Sequence, residues 1–123
     1  MNTLHELEPP AWAAHHLGGA PFSHRARARR LQVVGQAMAS HPGDTIPQLG
    51  ASAYAVKATY TLFGHPETTP ETVQAPHRAA VRAELAKPGT YLLIEDASEF
   101  TWPEHPPRSG LGPMHPGRQG FVL

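Results

Sequence analysis

The sequence predicts a mainly α fold that ends in the first one or two strands of an α/β or mixed sheet. Three observations carry this. Through about residue 86, apolar residues recur at helical spacing between cap and break signals. Residues 90–96, Thr-Tyr-Leu-Leu-Ile-Glu-Asp, instead form a continuous apolar run of strand length. Fourteen prolines and eleven glycines in 123 residues impose short elements and long connections. The expected division is a helical domain over 1–68, connecting helices over 69–89, and a sheet-forming segment over 90–123.

In chain order, residues 8–17 read as a short helix. Pro9 and Pro10 suit its first turn, Trp12 and His16 share a face, and Gly18-Gly19 stop it. Ser23 is the expected N-cap of a second helix to about Ser40, with Ala28, Leu31, Val34 and Met38 on one stripe. His41-Pro-Gly-Asp44 breaks it, and Thr45-Ile-Pro47 follows. Ser52 caps a third helix through Phe63, with Ala55, Ala58 and Leu62 at i, i+3, i+7 and Gly64 at its end. Thr69-Pro70-Glu71 is a start signal, and Pro76 is expected to open a further helix that Lys87-Pro88-Gly89 closes. Tyr91–Glu95 then reads as a strand buried on both faces. Residues 103–117 read as loop, and a second strand is expected from Gly120.

Ten basic and ten acidic residues balance, so net charge points to no partner. The distribution is uneven. Residues 1–60 hold Arg25, Arg27, Arg29, Arg30 and Lys57 against Glu6, Glu8 and Asp44. Four arginines within six residues wrap the start of one helix, where the N-terminus already favours anions and each guanidinium adds a bidentate phosphate grip. The same run also fits a solvated helix face with a few ion pairs. Asp96, at the end of the apolar run, is placed as a carboxylate on a rigid strand should be to hold metal. It equally fits a strand end meeting water, and strand alternation sends Glu95 to the opposite face.

Other chemistries find less support. Nine histidines show no zinc-ligand spacing, and without cysteine there is neither disulfide nor thiolate chemistry. The acidic start lacks the apolar stretch of a signal peptide, and no apolar run is long enough to span a bilayer. A soluble cytoplasmic protein is expected, with no membrane partner.

The motifs also stand in a suggestive order. Trp12 is followed by Phe22-Ser-His-Arg25 through Arg30-Leu31, then Thr45-Ile-Pro47, Lys57-Ala-Thr-Tyr-Thr-Leu-Phe63 and Pro76-His-Arg78. Ile94-Glu-Asp-Ala-Ser98, Gly110-Leu-Gly-Pro113 and Gly117-Arg-Gln-Gly120 complete the series. Over roughly residues 10–123 this resembles the N-terminal part of the DDE transposases of bacterial cut-and-paste insertion sequences. The resemblance implies a helical domain that binds transposon terminal repeats in double-stranded DNA. Arg25, Arg27, Arg29, Arg30, Thr45, Lys57, Tyr60 and Thr61 would be its contact residues. It further implies that Tyr91–Glu95 opens a truncated RNase H-like core, with Asp96 as catalytic residue and first of three carboxylates holding divalent metal (Mg or Mn).

The chain departs from the family pattern at Thr61, where the family has arginine, at Phe22-Ser23-His24, and at Ala97-Ser98. With one carboxylate of three, these 123 residues are expected neither to cleave strands nor to bind metal stably. DNA binding in transposition, by a nucleoid-associated protein, is the expectation. A homodimer paired through the Tyr91–Ile94 edge is a further one. The alternatives are a non-catalytic interaction or regulatory protein derived from a transposase, and a nuclease active only when other chains complete it.

Overall fold

The computed structural model describes residues 7–123; the acidic start over residues 1–6, with Glu6, lies outside the described residues. The described chain forms α1 (Pro9–Leu17), α2 (Arg25–Ser40), α3 (Ile46–Leu49), α4 (Ala53–Phe63), α5 (Pro70–Leu85), β1 (Glu99–Pro103), β2 (Gly112–Pro113) and β3 (Arg118–Val122). It divides into two compact units, a helical one ending at Gly89 and a sheet unit over Thr90–Leu123.

Local chemistry sets most helix ends. Ser52 caps α4 by accepting from the Ala55 N–H, and Thr69 caps α5 by accepting from the Thr72 N–H, as the sequence predicts. Helix α2 differs. Its N-cap is His24, whose Nδ1 accepts from the Ala26 N–H at 3.2 Å, and the expected cap Ser23 is engaged elsewhere. The Thr45-Ile-Pro segment closes into the short helix α3, because Gln48 Oε1 accepts from both the Thr45 N–H and its hydroxyl at 2.8 Å. Pro76 does not start a helix but lies inside α5. A proline there forfeits the bond to the Thr72 carbonyl. Val73, packed on the core, and His77, joined to α1, hold the helix on both sides of it.

Ala20, Leu31 and Leu62 form the buried cluster of the helical unit, with Leu17, Phe22 and Val73 packed against it. Of the predicted α2 stripe, Leu31 and Val34 are buried while Met38 is exposed. Helix α1 crosses α2 at Gly35, where a Cβ would collide with Leu17 Cδ1. It also packs on α5. There the buried His16 ring meets His77, Nδ1 to Nδ1 at 3.0 Å, with Trp12 and His15 against its other sides.

In the sheet unit β3 is central and antiparallel to both neighbours, in the order β1-β3-β2. Phe100 stacks on Phe121, its cross-strand partner, with centroids 5.2 Å apart. A turn bonded from the Arg118 N–H to the His115 carbonyl feeds β3, and Gly117 supplies its positive φ of 72°. Buried Gln119 pins residues 103–108. Its Nε2 donates to the carbonyls of Pro103, Glu104 and Pro106, and its Oε1 accepts from the Arg108 N–H.

The expected buried strand at Tyr91–Glu95 is not formed. Residues 90–98 belong to no strand, and Leu92, Leu93 and Ile94 are 85%, 86% and 87% exposed. A strand buried on both faces needs paired neighbours and a cover on each side, and the described residues supply neither. The sheet begins at Glu99 instead, where aromatic residues can pair across strands.

Two outcomes follow. Leu62→Ala removes the most buried leucine and should lower unfolding free energy by about 2–5 kcal/mol, read by urea denaturation. Burial, and secondarily the neighbouring His15 and His77, hold the His16 imidazole below its ordinary pKa. The unfolded chain thus binds a proton there more readily. Stability should be full above about pH 6.5 and fall as the pH drops below it. Melting temperatures between pH 7.5 and 5 check this, and His16→Gln should flatten the slope.

Candidate nucleic-acid interface

Helix α2 packs beside α4 because Leu31 and Leu62 share one cluster. The side chains next to those leucines must then face each other across the seam. On α2 these are Ala26, Arg27 and Arg30. On α4 they are Tyr54, Lys57, Ala58 and Thr61, at i, i+3, i+4 and i+7. Together with Leu62 and His65 they line a groove of about 450 Å³. Three cationic side chains, two hydroxyl-bearing ones and a histidine thus open onto one concave surface.

Each cation is positioned differently. The Arg30 guanidinium lies over the Tyr54 ring, 5.8 Å from its centroid. Arg30 also borders a second, smaller groove of about 290 Å³ between α2, α3 and α4, and so stands on the ridge between the two. Arg27 Nη1 lies 3.2 Å from Glu67 Oε2 and donates to Ser23 Oγ at 3.3 Å. The same Glu67 oxygen accepts from the Ser23 N–H at 3.2 Å. Hydrogen bonding from Ser23, opposed by partial burial and helped by Arg27 and His65, holds the Glu67 carboxyl below its usual pKa. Lys57 is exposed on α4.

Of the eight residues expected to contact DNA, the groove gathers Arg27, Arg30, Lys57 and Thr61. Arg25, Arg29 and Tyr60 are exposed but do not line it. Thr45 sits at the start of α3, bonded to Gln48. Thr61 turns its hydroxyl back to the Lys57 carbonyl at 2.9 Å. Sequence reasoning missed Tyr54, His65 and Glu67. Tyr54 was findable, since it precedes Lys57 by three positions and Thr61 by seven. Nothing in the sequence announced Glu67, which meets Arg27 across forty residues.

The expected metal centre is different. Asp96 lies in an exposed stretch outside any strand rather than at the end of a buried strand. Among the described residues no group of three or more His, Asp or Glu side chains gathers to hold a metal ion. Nor, among the described residues, is any helix long and apolar enough to cross a membrane.

No curated protein and no solved structure matches the chain. Residues 9–68 match the family model of transposase DNA-binding domains, just under half of the chain. The matched span runs from α1 through α4 and takes in every residue that lines the groove between α2 and α4. Over residues 9–68, therefore, the chain is similar to transposase DNA-binding domains.

Proposed function

We propose that this protein binds duplex DNA at the terminal repeats of a transposon, along the groove between α2 and α4. One observation carries the reading: Arg27 and Arg30 of α2 and Lys57 of α4 converge on a single groove inside the span that matches the family model. Arginine and lysine on a concave surface engage the phosphate backbone, which supplies most of the affinity without reading sequence. Arg25 and Arg29, exposed on α2, extend the positive surface along that helix; Tyr60 and Thr45 are further contacts in this reading. Sequence preference then falls to the short polar side chains of α4, chiefly Thr61, where a base edge can be met by a hydroxyl.

The reading extends to the role of Asp96 in a DDE-type, RNase H-like core of an insertion-sequence recombinase. There it would be one carboxylate of a divalent-ion centre. The residues present do not fit such a centre, since no companion acids gather around Asp96 among the described residues. No step of strand cleavage is therefore assigned to them. Self-association belongs to the same proposal, because three consecutive apolar side chains at 92–94 stand open to water. Light scattering after size exclusion distinguishes a dimer from a monomer.

The DNA reading is tested by titration against duplexes with and without terminal repeats at several salt concentrations. With about four phosphates engaged, log affinity should fall against log salt with a slope of about −3 to −4. Arg30→Ala and Lys57→Ala should each weaken binding to both duplexes and lower that slope by about 1. Absence of binding, or binding indifferent to salt, rejects the proposal in favour of a non-DNA interaction protein.

A further inference from the structure

Among the described residues Arg27 is the one member of the arginine cluster held in an ion pair. Its partner is unusual in placement. Glu67 lies in the connection between α4 and α5 and reaches Arg27, which lines the groove. One oxygen of its carboxylate takes the Arg27 guanidinium and the Ser23 main-chain N–H together. A guanidinium and a main-chain N–H converging on one anionic oxygen is also how proteins take a phosphate oxygen.

We propose that Glu67 is an internal competitor for the DNA backbone, occupying Arg27 until a phosphate displaces it. The proposal rests on the groove being the DNA-binding surface. The geometry favours exchange over a permanent tie. Both side chains keep about a third of their surface in water, 32% for Arg27 and 34% for Glu67. Ion pairs so exposed hold weakly and are screened by salt. The loop bearing Glu67 has supports of its own. The Glu67 N–H donates to His65 Nδ1, the Thr69 N–H donates to the Glu67 carbonyl, and the Thr68 hydroxyl donates to the Leu62 carbonyl. The carboxylate can therefore swing away while its backbone stays in place. Until it does, the charge of Arg27 is neutralised and its guanidinium is not available to an approaching phosphate. Glu67 thus restrains binding to DNA of any sequence, so that occupancy depends more on the other contacts.

The test compares wild type, Glu67→Gln, Arg27→Ala and the double variant, each confirmed as helical by circular dichroism. Glu67→Gln should bind terminal-repeat and unrelated duplexes about 3- to 10-fold more tightly at low salt, with a slope steeper by about 1. The gain should vanish in the Arg27→Ala background. Glu67→Asp, which keeps the charge but shortens its reach, should give a smaller gain of the same sign and serves if Glu67→Gln is poorly folded. Inorganic phosphate, followed by NMR at the Ser23 amide and the Arg27 Nε–H, should shift both signals in Glu67→Gln and neither in wild type. If wild type binds DNA but Glu67→Gln binds no tighter, or the gain survives Arg27→Ala, the competition is disproved and the groove reading stands. If no variant binds DNA, the groove reading fails. The phosphate titration still judges the exchange at Arg27, and no shift in Glu67→Gln overturns it.

Discussion

The contact between α2 and α4 across the Ala20–Leu31–Leu62 cluster is the constraint on which the candidate interface depends. Neither helix carries a binding surface alone. The α2 arginines wrap around one helix end, and the α4 residues Tyr54, Lys57 and Thr61 form a narrow polar strip. Burial of Leu31 and Leu62 at 4% and 3% exposure fixes the rotation of each helix about its axis. That rotation decides which neighbours face the seam. Arg27 and Arg30 are turned toward α4, while Arg25 and Arg29 are left outside. A small apolar cluster thereby sorts a sequence-local run of arginines into groove-lining and flanking pairs.

The remaining helices support this arrangement from behind. Gly35 lets α1 approach α2 closely, and the buried His16 joins α1 to α5 through His77. Of the two imidazole nitrogens one must donate and the other accept, and burial disfavours the charged form of His16. The support is thus sensitive to acid, while the groove itself is held by apolar packing. The Glu67 loop adds a second kind of sensitivity, because an exposed ion pair responds to salt as phosphate contacts do.

Much of the helical unit was legible because its signals are local. Ser52 and Thr69 cap as expected, Gly18 and Gly64 stop helices, and the α2 and α4 stripes place Leu31, Val34 and Leu62 inside. Where sequence and structure part, a non-local effect decides. His24 caps α2 in place of Ser23, whose hydroxyl accepts from Arg27 while its N–H is taken by Glu67, forty-four residues away. Pro76 is carried inside α5 because Val73 and His77 on either side are anchored to the rest of the unit. The run at 91–94 has the composition of a buried strand, but burial is a property of neighbours, and composition cannot supply them. Conversely, Gln119 looks unremarkable in sequence and becomes the bond-richest side chain of the sheet unit, because the 103–108 loop returns three carbonyls to it. Within the site, four of eight expected contact residues converge, and the cluster's arginine run alone could not say which.

The central claim is that DNA lies along the seam between α2 and α4. Amide chemical shifts of the full chain, followed as a terminal-repeat duplex is added, test it most directly. The account predicts that changes concentrate in residues 26–30 and 54–65, with the 99–122 strands unaffected. Changes centred on the strands, or spread evenly over both units with none along the seam, would contradict it.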